Sequence, residues 1–181
     1  YLGIGTSVYM EPTASPMGFL ATSVVEIRIE PSGHVIVLSN THSQGQSTET
    51  TLAQIIAQEL GVDIDDVRVL QGDTAQVGFG MGSGGSRQAV IGGGAATLAA
   101  RELRHKVLTI AAHLMEAAAE DLVIENGQVS VKGVPQVSMT VKQIAETAYT
   151  AVTKLPEGME PGLEARHRYA PASITWTNAA H

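Results

Sequence analysis

From Thr22 the chain runs Thr-Ser-Val-Val-Glu-Ile-Arg-Ile-Glu, and its apolar and polar residues alternate towards the end. That period of two marks a half-buried strand, because successive side chains of a strand point to opposite faces. Pro31, Ser32, Gly33 and His34 make a turn, and Val35-Ile36-Val37-Leu38 follows directly. The two runs predict a β-hairpin of residues 24–29 with 35–38. A wholly polar stretch, 39–48, leads into residues 49–60, where Leu52, Ile55, Ile56 and Leu60 share one helical face. Ser47 or Thr48 suits the N-cap of that helix, and Gly61 stands where a C′ glycine ends it. A short strand is expected at 67–70.

Residues 71–88 follow neither period. A long helix is predicted over 89–118, with Ala95, Ala99, Leu103, Val107, Ile110, Leu114 and Ala118 at steps of three and four. Gly92, Gly93 and Gly94 near its start weaken it by about 1 kcal/mol each relative to alanine, which points to close backbone packing as compensation. Residues 122–124 and 129–131 form a second hairpin across Asn126-Gly127, a strong two-residue turn signal. A short helix spans 140–149, with Val141, Ile144, Ala145 and Ala148 on one face. Residues 154–168, rich in proline, glycine and charge, read as a loop. Residues 173–177 read as a last strand, and 2–10 as a strand-like lead-in broken by Pro12. Hairpins interleaved with helices, without a regular βαβ period, argue for an α+β fold rather than a doubly wound sheet. The expected architecture is β-hairpins and a mixed sheet packed against a few helices.

Composition adds limits. The 181 residues suffice for one domain with a sizeable core, and 44% hydrophobic with 16% charged residues excludes a disordered tail. Only 4% of residues are aromatic, so the core must be aliphatic and alanine-built, while 19 glycines need a use. The net charge of −7 and the absence of a Lys/Arg cluster argue against nucleic acid or an anionic membrane as partner. No segment approaches the ~20 apolar residues of a membrane helix. Without cysteine there is no disulfide, thiolate metal site or cysteine nucleophile, which fits a cytoplasmic protein. The chain starts without Met inside an apolar run and closes without a stop signal, so a fragment is expected.

Two loops carry candidate chemistry. Gln44-Gly45-Gln46-Ser47-Thr48-Glu49-Thr50 joins a strand to a helix, so helix-start N–H groups accompany two carboxamides around a glycine. The second is the glycine run ending in Gly84-Gly85-Ser86-Arg87-Gln88, which also opens onto a helix. Consecutive glycines let a ligand reach the backbone, successive N–H groups can form an anion nest, and Arg87 adds a positive charge. Each also has a plainer reading: a solvated helix start for the first, a surface loop for the second.

Gly80-Met81-Gly82-Ser83-Gly84-Gly85 matches G-x-G-x-x-G, but nine residues separate Leu70 from its first glycine and no opening βαβ unit is expected before it. A Rossmann-type dinucleotide-binding enzyme is thus an alternative, and a non-enzymatic binding or structural domain another. The histidines do not assemble: His105 and His113 stand about 12 Å apart along one helix, His34 is in a turn, His42 is a weak candidate beside Gln44, and His167 and His181 have no evident partner. Asp63, Asp65 and Asp66 read as a solvated turn.

At the two loops the chain resembles the molybdenum-cofactor-binding large subunit of the xanthine oxidase / aldehyde oxidase / carbon monoxide dehydrogenase family. Gly3-Ile4-Gly5 with Tyr9-Met10-Glu11-Pro12-Thr13 resembles the start of that subunit's cofactor region. Residues 44–50, then Ala53-Gln54-Ile55 and residues 67–74, resemble its Q-G-Q-G-H-E-T segment and continuation. Gly84-Gly85-Ser86-Arg87, followed by Gly92-Gly93, resembles its G-S-R loop. The likeness runs from residue 3 to about 110 and departs at Ser47-Thr48, for Gly-His, and at Gln88, for the usual Ser.

The resemblance implies a partial cofactor-binding domain over residues 1–181. Gln46 would approach the molybdenum's oxo ligand and the pterin, with Gln44 and Gly45 shaping that loop. Gly84, Gly85, Ser86, Arg87 and Gln88 would line the molybdenum and dinucleotide site. The cofactor would be molybdopterin cytosine dinucleotide, and the chemistry oxidative hydroxylation of an aldehyde, N-heterocycle or CO with water as oxygen source. Partners would be the rest of the large subunit, FAD and iron–sulfur subunits or domains and a small-molecule substrate, in a bacterial cytoplasm, with a homodimer left open. The family's G-x-G-E glutamate has no counterpart here, so no catalytic residue is assigned and no protein side chain ligates metal. The isolated chain is expected to be inactive and without cofactor.

Overall fold

The computed structural model describes residues 2–9, 14 and 20–172. The first hairpin forms as expected, from β1 (Ser23–Ile29) and β2 (Val35–Ser39), antiparallel with Ile27 opposite Val37. Helix α1 (Thr48–Leu60) follows, and β3 (Val67–Gln71) returns parallel to β2. The expectation that no βαβ unit precedes the glycine run is therefore corrected: β2, α1 and β3 make one. A single unit shows no repeat period along the chain, which is why it escapes a search for one.

A second correction concerns residues 154–168. Their end belongs to β7 (Glu164–Tyr169), which pairs antiparallel with β1 and completes a sheet in the order β3-β2-β1-β7. Its alternation was hidden because charge sits on the outer face (Glu164, Arg166, Arg168) and the inner face carries Ala165, His167 and Tyr169 rather than large aliphatics. The strand-like lead-in does not form. Residues 2–9 have no regular structure, and Leu2, Ile4, Val8 and Tyr9 lie exposed, with no strand paired to them. Met10 and residues 173–177 lie outside the described residues.

The long helix is shorter than expected and begins differently. A π-helical turn, Gln88–Gly92, runs into α2 (Gly93–Met115), which ends where Glu116 turns left-handed at φ 52°. Ala95, Ala96, Ala99, Ala100 and Leu103 are all fully buried, and this narrow small-residue face lies across β1 and β7 and beside α1. The helix-start glycines have the expected use. A β-carbon at Gly94 would lie 2.4 Å from the Tyr169 ring, and one at Gly92 would lie 3.2 Å from Thr41. Burial of each large aliphatic contributes about 1.5–3 kcal/mol, so the core rests on Ile27, Ile29, Ile56, Leu60, Leu103 and Ile110 rather than on aromatics.

The second hairpin, β4 (Leu122–Glu125) and β5 (Gln128–Val131), gains a third strand, β6 (Val134–Thr140), that the pattern did not announce. Its Pro135 and exposed side chains suit the edge it occupies. It feeds α3 (Val141–Thr150) through a capping box. The Thr140 hydroxyl accepts from the Gln143 N–H at 3.0 Å, and Gln143 Oε1 accepts from the Thr140 N–H at 2.8 Å. Thr140→Ala should destabilise the protein by about 1 kcal/mol, read as a lowered urea midpoint at unchanged m-value. An unshifted midpoint would show that packing alone holds α3.

Candidate functional site

Both candidate loops lie at helix starts, and they meet. Ser47 occupies the N-cap position of α1 in the left-handed region, φ 63°, and its side chain makes no capping bond. Thr48 faces sideways instead: its hydroxyl donates to Gln88 Oε1 at 2.6 Å. The opening turn of α1 therefore has no side-chain cap, which leaves it suited to an external acceptor.

Gln44, Gly45 and Gln46 are exposed on this loop. Gln46 Oε1 accepts from the Gln44 N–H, and Gln46 Nε2 donates to Gln88 Oε1 at 2.7 Å. Gln88 Nε2 donates to the His42 carbonyl at 2.6 Å and to Ser83 Oγ. A cavity of about 150 Å³ lies beside this junction, lined by Gln46, Thr48, Leu52, Ile55, Gln88 and Gly93. A larger open groove at the far end of α1, lined by Ala57, Gly61 and Ile124 among others, touches neither loop.

The glycine run divides in two. Gly78, Gly80 and Gly82 press the backbone onto the protein: β-carbons there would lie 3.0 Å from Val24, 1.6 Å from Asn40 Nδ2 and 2.7 Å from the His42 ring. Asn40, 7% exposed, secures this contact. Its Oδ1 accepts from the Val24 N–H at 3.2 Å and its Nδ2 donates to the Phe79 carbonyl at 3.3 Å. Gly84 faces open space, as does Gly45. Gly84, Gly85 and Ser86 are exposed, and the Gly85 carbonyl accepts from the Ala14 N–H at 3.2 Å.

Arg87 points the other way. Its side chain is fully buried, and Nε donates to the Leu20 carbonyl at 3.0 Å. The two terminal nitrogens donate to the Gly82 and Thr22 carbonyls, and one of them also to Ser23 Oγ at 2.9 Å. Burial lowers its pKa from the ordinary arginine value. The positive charge expected beside the loop is thus turned beneath it.

Sequence reasoning missed Asn40, Ser83 and the side-chain role of Thr48, because each acts through a partner about 40 positions away. His42 contributes its carbonyl and a ring packed on Gly82. Among the described residues no group of histidines and carboxylates is placed to hold a metal ion. His34 instead lies 3.6 Å from Asp66, and His167 meets Glu102.

The glycine motif is not at a strand end in the Rossmann manner. It runs back past β1 and β2 after leaving β3, which is itself a sheet edge. The sequence profile of the molybdopterin cofactor-binding domain matches residues 1–181. The chain belongs to that family.

The large chain of carbon monoxide dehydrogenase from Afipia carboxidovorans is 39% identical over 99% of this chain and 23% of its own length. The large subunit of nicotine 6-hydroxylase from Paenarthrobacter nicotinovorans is 34% identical over 100% and 23%. Among solved structures, quinoline 2-oxidoreductase from Pseudomonas putida 86 superimposes with a TM-score of 0.78 at 42% identity, covering 84% of this chain and 19% of that one. The chain thus spans about a quarter of the length of these curated relatives, and its fold is that of a molybdenum-cofactor-binding domain of molybdenum hydroxylases.

Proposed function

We propose that this domain holds the dinucleotide form of its cofactor, molybdopterin cytosine dinucleotide, between the two helix-start loops, as part of a longer large subunit. The donor set suits such a group. The uncapped opening of α1 offers neutral N–H donors to phosphate and pterin oxygens, and Gly45 and Gly84 leave room for a ligand to approach the backbone. Gln46 supplies a carboxamide at the same place, with Gln44 and Gly45 setting the loop's course. Gly84, Gly85 and Ser86 act through their backbone, Arg87 by fixing the loop from beneath, and Gln88 by tying it to α1. When bound, the group supplies two-electron redox chemistry at molybdenum and brings its own dithiolene ligands, so no protein thiolate is required.

The residues of this chain bind and orient, and the observation that carries this reading is the joining of both loops through Gln46 and Gln88. The reaction of the whole subunit is oxidative hydroxylation of a small molecule with water as oxygen source. FAD and iron–sulfur subunits or domains accept the electrons, in the bacterial cytoplasm. Gln46→Leu in the full large subunit should lower bound molybdenum roughly tenfold, measured by elemental analysis of the purified complex. Unchanged molybdenum, dinucleotide content and turnover would make both loops merely structural.

A further inference from the structure

A backbone carbonyl can only accept a hydrogen bond and a backbone N–H can only donate one. Gln88 faces the His42 carbonyl, so the atom there is nitrogen; Gln46 faces the Gln44 N–H, so the atom there is oxygen. These two backbone groups fix both carboxamides. Gln88 must then turn its oxygen towards α1, where it accepts from Thr48 Oγ1 and from Gln46 Nε2. The result is one directed chain, from the Gln44 N–H through Gln46 and Gln88 to the His42 carbonyl. Flipping Gln46 would set oxygen against the oxygen of Gln88 and nitrogen against the N–H of Gln44.

The polarity has a consequence for any ligand. Gln46 Oε1 is committed to its own loop, accepting from the Gln44 N–H and, at 3.5 Å, from the Ser43 hydroxyl. Its amino group uses one hydrogen on Gln88 and keeps a second. Exposed as it is, the Gln46 side chain meets a ligand as a donor.

We propose that Gln88 is a positioning residue that sets this polarity, holding Gln46 as a hydrogen-bond donor so that the loop favours acceptor-rich groups such as oxo and phosphate oxygens. The inference rests on the reading of Gln46 as a cofactor contact. Two features single out Gln88. It opens the π-helical turn, a local departure from α geometry of the kind that clusters at functional sites. It also stands where the family resemblance leads one to expect serine, whose hydroxyl is two bonds short of the Gln88 carboxamide and could not span from His42 to Gln46. Ser83 completes the arrangement, with its hydroxyl donating to the same His42 carbonyl.

The test compares Gln88→Leu, Gln88→Glu and Gln46→Leu with two readouts. The first is the side-chain amide NMR signal of Gln46 in the full 181-residue chain, assigned by its loss in Gln46→Leu. Gln88→Leu should return the Gln46 amide shifts to those of free glutamine and speed their exchange with water roughly tenfold. Gln88→Glu keeps an oxygen for Gln46 but sets its second oxygen against the His42 carbonyl, so it should shift them only part of the way.

The second readout is bound molybdenum in the full large subunit. Gln88→Leu should lower it roughly tenfold, as expected of a residue that orients a ligand contact, and Gln88→Glu should lower it less. Gln46 signals unmoved in Gln88→Leu would overturn the proposal. So would molybdenum lost in Gln46→Leu but kept in Gln88→Leu. Molybdenum kept in Gln46→Leu, with the Gln46 signals behaving as expected, would instead overturn the reading of Gln46 as a cofactor contact and leave the polarity standing. If Gln88→Leu does not fold, Gln88→Ser carries the comparison of the Gln46 signals, since serine also cannot reach Gln46.

Discussion

Replacing Arg87 by leucine should destabilise the protein by about 3–5 kcal/mol. The guanidinium is fully buried and bonded to the Leu20, Thr22 and Gly82 carbonyls and to Ser23 Oγ. Leucine fills part of the volume and satisfies none of these oxygens. A buried acceptor stripped of its donor costs about 1–3 kcal/mol, and some of the four will recover water as the loop loosens, which sets the range below the simple sum. Arg87→Lys should fall between, because an ammonium keeps the charge but lacks the planar fork that reaches three carbonyls on two segments.

The measurement is urea unfolding followed by far-UV circular dichroism. Arg101→Ala is the control: its guanidinium, paired with Glu59, is largely exposed, so it should change stability by at most about 1 kcal/mol. An Arg87→Leu effect no larger than the Arg101→Ala effect would show that the carbonyls find water without cost. The same variant bears on function, since Arg87 ties Gly82 to the start of β1 directly beneath Gly84, Gly85 and Ser86.

Gly61→Ala should cost about 2–4 kcal/mol, and the comparison with Gly72→Ala shows why. Both glycines are left-handed, at φ 75° and 79°, and alanine in that region costs about 1–2 kcal/mol. A β-carbon at Gly72 meets nothing within 4 Å, whereas one at Gly61 would lie 2.3 Å from the Ile124 carbonyl oxygen. The carbonyl belongs to β4 and cannot yield easily. The Gly61 carbonyl accepts from the Gly127 N–H at 2.8 Å, which ties the end of α1 to the β4–β5 turn. Thermal unfolding of the two variants isolates the steric part as their difference. Equal losses in melting temperature would mean that β4 moves aside at no cost.

Helix α1, both hairpins and helix α3 were legible in the sequence because each is decided within a few residues. Apolar spacing selects a face, and Asn126-Gly127 sets a turn. The two candidate loops were legible as well, as glycine and carboxamide clusters at helix starts and as motifs resembling a known family. The expected close packing of the α2 glycines follows from the same logic, since three glycines in a helix need a compensating contact.

What local chemistry left open was every relation between distant positions. Strand β7 carries charge and small residues and becomes a strand only because β1 offers its edge. Residues 2–9 are apolar enough for a strand, yet among the described residues no strand pairs with them. The glycines of the run 78–85 look alike in sequence, but Asn40 and His42 claim Gly80 and Gly82 while Gly84 stays open. Arg87 reads as a charge offered to a ligand, and only the approach of Leu20, Thr22 and Gly82 turns it inward. By itself the sequence determined the three helices, both hairpins, β3, the aliphatic and alanine core and the two candidate loops. Only the tertiary structure decided which side chains of those loops meet. Gln46 and Gln88 lie 42 positions apart, and hydrogen bonds between them depend on where α1 and the π turn are packed, not on any spacing along the chain.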